Sequence, residues 1–533
     1  MVNYPTPGAF MKIPSIPFKI LALAPLFGPD YAVWDKAPLD VDPNDPDRVI
    51  VEFGPTCTVA VPSDLYPDKH IELKFTRLKD FHPDNMVQNN PALQNLREAK
   101  EWIEEAGRKN LSDEQINTRL AQWPNLPPIR VETTPRKPQS PSRDSLDKIL
   151  DIVALPDAHS GLLSGTQAAA RQIDTIIQKI LEHIFLDVKF RRLEASWRGL
   201  RLLLRQVNAG DSDIRIEIVP VSDDSLNDTL AALAAEMIDA LPSLILVDLP
   251  FDSSPRNLEL LERIAQLSET LLVPAITWIR PEFFHIDSWQ DIRSLAFLPH
   301  YLEAAPFARW QSFKKTPSAR WLTVACNRIA ARYPYGKDNL PRRIPFEEKH
   351  PAWISPVWAL GTLIGRSLIE TGWPASFTDR HAIRLEDLPL NTEDPQRPSP
   401  TEANFDQNRI DQFIRSGIIP LAAVQGKDIA FAPDETTAGG ISLRYQLFVS
   451  RITQLVLWCR DHFEKNLNGK DLEADLQQAF KLFWEISGHS GPESLEIIAG
   501  KPDPEGRVPV RIALEPARQI LASRDKVELN FSW

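Results

Sequence analysis

The sequence predicts a mixed α/β, multidomain protein, and three observations carry that expectation. Between residues 214 and 279 the apolar spacing switches repeatedly, reading strand, helix, strand, helix, strand, which is the order of parallel βαβ units. The chain has 533 residues, too many for one ordinary core. It also carries 47 prolines against 21 glycines, so its elements should be short, sharply ended and joined by rigid connections.

Taken in order, Phe18 to Ala24 (FKILALA) is apolar apart from Lys19 and reads as a mostly buried strand. Lys12 and Lys19 beside the run Ile20 to Phe27 imitate a secretory signal. However, Pro14, Pro17 and Pro25 interrupt the region, and Ala22-Leu23-Ala24 lies inside the run rather than after it. Runs rich in β-formers follow at Arg48 to Glu52, Thr56 to Val61 and His70 to Phe75. Helical sequence then opens at Pro83-Asp84 and again over Pro91 to Ile103, with proline in the first turn. Prolines at 124, 127, 128, 135, 138 and 141 make residues 123–145 an expected extended linker. The expected segments are therefore 1–122, the linker 123–145, 146–430 and 431–533.

Beyond the linker, Ile173, Ile176, Ile177, Ile180, Leu181 and Ile184 form a helical stripe. Phe190, Leu193, Trp197, Leu200 and Leu204 form a second, with arginines on much of the remaining surface. The βαβ region comprises strands at Ile214 to Val221, Leu244 to Leu249 and Val273 to Ile279. Its helices are Leu226 to Leu241 and Pro255 to Leu271, the latter capped by Ser254. Another strand and helix are expected between Ser318 and Tyr335. A long apolar helix should cover residues 354–371, with Gly361 and Gly365 where a neighbouring backbone could approach. Short strands around Ile418 to Val424, helices from Leu443 to Lys465 and Asp471 to Ile486, and terminal strands Val508 to Leu514 and Lys526 to Phe531 finish the chain.

Composition narrows the function. Hydrophobic residues at 43% and charged residues at 25% suit a globular protein. A net charge of −12 weighs against nucleic acid as the main partner, because phosphate binding needs a basic footprint. The basic pairs Arg191-Arg192 and Arg342-Arg343 read as solvated or ion-paired surface. No apolar stretch approaches the length of a spanning helix, so membrane insertion is not expected. The cysteines, Cys57, Cys326 and Cys459, show no CxxC spacing and fit a reducing compartment.

Motifs for chemistry are missing. No GxGxxG or GxxxxGK[ST] follows a predicted strand, and no HExxH occurs. GHSGP at Gly488 to Pro492 lacks the last glycine of a nucleophile elbow and follows a helix rather than a strand. Asp248 and Asp252 lie near a strand end where α/β sites often sit, but capping or ion pairing is the simpler role. The expectation is no catalytic centre, no cofactor and no metal.

The stretch LEASWRGLRLLL at 193–204 matches "LE..WRGL..L", found near the start of the large subunit of the type VI secretion contractile sheath. Three collinear segments agree: FDSSPRNLELLERIA at 251–265, ARWQSFKKTPSARWLTVACNRIAARYPYG at 308–336 and SGIIPLAAVQGKDIAFAP at 416–433. Upstream, IELKFTRLKDFHPDNMVQNNPALQNLREAKEW and FKILALAPLFG resemble the family's small subunit. The chain therefore resembles a small subunit (TssB/VipA/ImpB-like) fused head to tail to a large one (TssC/VipB/ImpC-like).

That resemblance implies a contractile-sheath fold in which the two parts fold together. It also implies self-assembly as a helical homopolymer around an inner tube of Hcp-like protein, contact with baseplate components, and a bacterial cytoplasmic location. A sheath-fold adaptor that does not polymerise is the alternative. In the family, terminal strands of the large subunit pair with neighbours, which nominates Val508, Val510, Ile512, Val527, Leu529 and Phe531, with Pro509 suggesting an edge position. Trp197, Arg198, Gly199, Trp310, Tyr335 and Gly336 are the family-motif residues expected to pack. Recycling by a ClpV-type AAA+ ATPase is doubtful, since the proline-rich linker stands where its recognition helix belongs. Only 17 residues, four of them proline, precede Phe18, so a strand-exchanging arm at that end is doubtful too.

Overall fold

The structure is a computed structural model. It describes residues 16–27, 34, 37–131, 165–207, 212–237, 240–337, 339–391, 398–463, 469–488, 491–505, 507–521 and 526–533. The expected mixed α/β architecture is present. The chain divides into two compact units, one of Met1–Phe53, Arg192–Tyr333 and Pro351–Trp533, the other of Gly54–Arg191 and Pro334–His350. These units do not follow the segment boundaries read from the sequence.

Strand β1 (Phe18–Ala24) is nearly continuous in apolar character because it is covered on both faces. After β2 (Leu39–Asp40) comes a helix, Pro46–Phe53, where a strand was expected. Val49, Ile50 and Phe53 bury one helical face, and Pro46 supplies the preset first-turn backbone, so tertiary packing overrides the β-branched composition.

In the second unit β3 (Thr56–Ala60) and β4 (His70–Lys74) form an antiparallel pair. Helix Pro91–Arg108 starts sharply because the Asn90 side chain accepts from the N–H groups of Ala92 and Leu93 and Pro91 needs no donor partner. The start of the expected linker is packed against this unit. The Trp123 indole donates to Asn95 Oδ1 at 2.8 Å, Asn117 bonds Val131 in both directions, and Ile129 and Val131 are buried. The rest of the linker lies outside the described residues. Helices Gly165–Leu186 and Val188–Gln206 carry the two predicted stripes.

The first unit holds the main sheet. Its strands are β1, β2, β5 (Ile214–Pro220), β6 (Leu244–Phe251), β7 (Ala275–Ile279), β8 (Leu322–Cys326) and β11 (Ile418–Pro420). After β8 the chain forms β9 (Ile329–Ala330) and β10 (Trp353–Ile354), an antiparallel pair, rather than the expected helix. Asn327 sits at φ 71° and its side chain bonds the backbone of Ala403 and Leu421, holding the chain in a turn no helix could adopt. Helix Pro356–Thr371 follows. Its Gly361 and Gly365 face side chains, Leu246 and Val207, rather than a neighbouring backbone. Strand β11 (Ile418–Pro420) closes one side of the sheet, and β12 (Ala422–Ala423) pairs with β13 (Ala430–Phe431).

The sheet order is β11-β8-β7-β6-β1-β5-β2, parallel except for β2. Counting β1, β5, β6, β7 and β8 as one to five gives 2-1-3-4-5, a common doubly wound order. Strand β1 sits in the interior, paired to β5 on one side and β6 on the other. The sheet is thus completed by a strand from the far side of the expected linker, and without β1 it would be cut in two.

The chain ends in helices Leu443–His462 and Gly469–Ile486 and a three-stranded antiparallel sheet, β14 (Ser494–Ala499), β15 (Pro509–Glu515) and β16 (Val527–Ser532). Strand β14 gives no sequence signal, since only Ile497 along it is buried.

Candidate functional site

Two features hold the nominated residues: the terminal sheet and the core behind the LEASWRGL stretch. In the terminal sheet β15 is central, so Pro509 does not mark an edge strand. Proline is tolerated because it is the first residue of β15. Val508, Val510, Ile512 and Val527 are buried in the core that the two preceding helices also build, with Leu529 and Phe531 packed against it. Their side chains hold this chain's own sheet together.

The hydrogen-bond phase of the sheet identifies its free edge. Val508 and Trp533 exchange both backbone bonds, Val508 N–H to Trp533 at 3.2 Å and Trp533 N–H to Val508 at 2.8 Å. Antiparallel pairs alternate, so Val510/Phe531, Ile512/Leu529 and Leu514/Val527 bond inward. The backbone groups of Glu528, Asn530 and Ser532 therefore point away from β15. Applied to β14, the same counting turns Leu495, Ile497 and Ala499 outward, where the Ala499 N–H already donates to Glu473 Oε1 at 2.7 Å. The β16 edge is the more open of the two.

The motif core is assembled from three elements of the first unit. Ser196 Oγ donates to Asp248 Oδ2 at 2.7 Å, and the Trp358 indole N–H donates to the same oxygen at 2.7 Å. Burial pushes the Asp248 carboxyl up. Trp358 lies flat against Gly199, where an added Cβ would stand 2.2 Å from the indole Cδ1, so the motif glycine is a steric requirement. Trp197 packs its ring 6.2 Å from Phe53, which also meets Phe27 and Trp34. Arg198 Nε contacts Glu194 Oε1 at 2.7 Å, and Arg332 Nε reaches the same oxygen at 2.8 Å. Burial alone would raise Glu194, but the guanidiniums of Arg332 and Arg198 outweigh it and hold the carboxyl at about 2.

The other motif residues lie elsewhere. Trp310 is fully buried against Phe283, ring centroids 5.3 Å apart. Tyr335, in the second unit, packs edge-on to Phe185 and His82. Gly336 closes a turn with Asn339, and a Cβ there would meet only Glu347 at 3.6 Å, so space does not demand glycine.

The remaining polar candidates are structural. Asp252 accepts from Ser254 N–H and Arg280 Nη2. Burial would raise it, but these bonds prevail and hold it at about 2. Arg192 pairs with Asp223, and the backbone N–H groups of Arg342 and Arg343 both donate to Asp84 at 2.9 Å. Among the described residues no group of three or more His, Cys, Asp or Glu is placed to hold a metal, and no helix is long and apolar enough to cross a membrane. His489 and Ser490 of the GHSGP stretch lie outside the described residues. Sequence reasoning missed Glu194, Ser196, Arg332 and Trp358; the Glu194–Arg198 pair at i,i+4 was a local signal, but Arg332, Asp248 and Trp358 meet the motif helix or each other from 52 to 138 residues away and leave none.

Residues 167–241 and 239–437 match the family described as VipB: EvpB/VC_A0108, tail sheath N-terminal domain. Residues 4–123 match the family described as Type VI secretion system, VipA, VC_A0107 or Hcp2. A curated relative, the type VI secretion system sheath protein TssC1 of Pseudomonas aeruginosa, is 23% identical over 321 residues, 54% of this chain and 61% of that protein. The chain thus spans about three fifths of that relative's length. Among solved structures, the contracted helical sheath of the anti-feeding prophage is 12% identical, with 62% of this chain and 80% of that chain covered and a TM-score of 0.36. The sheath tail protein Lin1278 from Listeria innocua is 8% identical, with 59% and 60% covered and a TM-score of 0.33.

Proposed function

The chain belongs to the VipB tail sheath family and carries a VipA-type segment ahead of it in the same polypeptide, and we propose that it is the structural protomer of a contractile sheath. On this reading protomers stack as a helical tube around an inner tube of Hcp-like protein, in contact with baseplate components, inside the bacterial cytoplasm. Contraction requires interfaces with two alternative packings rather than a catalytic centre. The chain is not an enzyme in this proposal. Recycling by a ClpV-type ATPase is not part of it.

The observation that carries the reading is the open β16 edge on a sheet otherwise anchored in the protomer core. A neighbour's strand added there would meet the outward backbone groups of Glu528, Asn530 and Ser532. The handful of bonds available contribute about 0.5–1.5 kcal/mol each. Association costs about 4–15 kcal/mol, so several interfaces must act together in a tube.

Two proline substitutions separate the edge from the sheet. Asn530→Pro removes an outward donor and leaves the inward ladder intact, so it should abolish tubes while the circular dichroism spectrum stays native. Leu529→Pro removes the donor that faces Ile512 and should loosen the terminal sheet itself. Normal sedimentation of Asn530→Pro tubes would sink the edge proposal.

A further inference from the structure

We propose that Arg451 is the register lock of β1, the residue that fixes where the first segment's strand docks in the main sheet and resists its withdrawal. The inference stands on the fold alone and does not depend on tube formation. It starts from a difficulty. Six of the seven residues of FKILALA, all but Lys19, are apolar and buried, so sliding the strand by two residues exchanges apolar side chains for one another along most of its length. Hydrophobic burial discriminates such registers poorly. The fit of the small Ala22 and Ala24 slots and the polar contacts at the start of the strand then decide.

Those contacts converge on helix Leu443–His462. Arg451 Nη2 donates to Ile16 O at 2.9 Å and Nη1 to Pro17 O at 3.4 Å, so one guanidinium reads two successive carbonyls immediately ahead of β1. Its Cζ lies 5.9 Å from the centroid of the Phe18 ring and 5.6 Å from that of Phe483. Nη1 also donates to Gln454 Oε1, which accepts from Ser243 Oγ at 3.0 Å. Ser243 in turn accepts from Lys19 N–H through Oγ at 3.1 Å and donates its own N–H to Lys19 O at 2.7 Å. The chain Arg451, Gln454, Ser243 thus grips the backbone of residues 16, 17 and 19.

Arg451 is buried, at 7% exposure, and among the described residues it forms no ion pair. Burial draws its pKa down to about 10, with the Asp213 charge acting against that. A cation so placed costs free energy unless its donors are filled. In this fold the donors are filled by the backbone whose position they fix.

The two slip directions are guarded differently. Advancing β1 by two residues would carry the Lys19 side chain, now 17% exposed beside Glu217, into the slot of Leu21, which is 1% exposed. Withdrawing by two residues, a shift of about 6.6 Å, meets no such penalty from buried charge. It does pull Ile16 O and Pro17 O off Arg451. Withdrawal also draws Pro25, which has no N–H, into the Leu23 position of the ladder, and the guanidinium adds to that stop against tension from the N-terminal side.

The test uses the full chain with cysteine pairs that report register. Lys19 is directly opposite Arg215, and the outward face of β5 is exposed at Arg215. Lys19→Cys with Arg215→Cys traps the observed register. Lys19→Cys with Asp213→Cys traps the strand withdrawn by two residues. With Arg451 present, the first pair should cross-link at least about tenfold more than the second; with Arg451→Met the ratio should fall by about an order of magnitude. Arg451→Lys, which keeps the charge but cannot fork across two carbonyls, should fall between them. It supplies the comparison if Arg451→Met does not fold. A pure packing role predicts a lower melting temperature with an unchanged cross-link ratio in both variants, and that result would overturn the proposal.

Discussion

Cutting the chain between its two segments should leave them together. A protease site inserted at Ser140, within the proline-rich stretch, would let the purified protein be nicked after folding. Strand β1 buries Phe18, Ile20, Leu21 and Leu23 to 1% exposure or less, and full burial of such side chains stabilises by about 1.5–3 kcal/mol each, or about 6–12 kcal/mol together. The strand also has seven register partners on β5 and four on β6, whose ladder bonds contribute about 0.5–1.5 kcal/mol apiece. In the second unit helix Pro91–Arg108 adds its own attachment across the cut, including Lys100 Nζ to Asp174 at 2.8 Å. These contributions together exceed the roughly 4–15 kcal/mol cost of association. Size-exclusion chromatography of the nicked protein at micromolar concentration should return one peak containing both fragments at one to one. Two separate peaks under native conditions would show that β1 is dispensable and that the sheet order is wrong.

The motif core yields further expectations. Glu194→Gln leaves the Arg198 and Arg332 charges buried without their carboxylate and should cost about 3–5 kcal/mol in denaturant unfolding. The Glu194 carboxyl is depressed in the folded protein from 4.5 to about 2, so its stabilisation is full above pH 4.5 and is lost as pH falls toward 2. Acid titration of stability should show a drop of about 3 kcal/mol over that window, absent in Glu194→Gln. Asp248 has the opposite sign: its carboxyl is raised, so its contribution is present below pH 3.8 and lost as pH rises above it, and Asp248→Asn should remove that loss. Gly199→Ala drives a methyl into the Trp358 indole and should lower stability by about 1–3 kcal/mol, read as a shifted urea midpoint at unchanged slope.

Much of this architecture is legible along the chain because its signals are local. Helix Pro255–Leu271 declares itself through Ser254, Pro255 and its leucine spacing, and the structure returns those bounds. The apolar run of β1 is equally plain, but its place between β5 and β6 is not, because its partners lie near residues 214 and 244. Local composition misleads at Pro46–Phe53, where Val49, Ile50 and Val51 suggest a strand while burial of Val49, Ile50 and Phe53 selects a helix. Strand β14 is silent because it is a sheet edge with one buried residue, so no alternation survives in its sequence. The terminal strands were visible as strands, but which of their residues faces the open edge is set by hydrogen-bond phase. That phase points to Glu528, Asn530 and Ser532 rather than to the apolar residues that pattern alone selects.

The proposal that this chain is a self-sufficient sheath protomer is tested most directly by negative-stain electron microscopy of the purified, full-length chain over a range of concentrations. It predicts tubes or stacked rings of uniform diameter formed without a second sheath subunit. Monodisperse particles at every concentration, with a native circular dichroism spectrum, would contradict it.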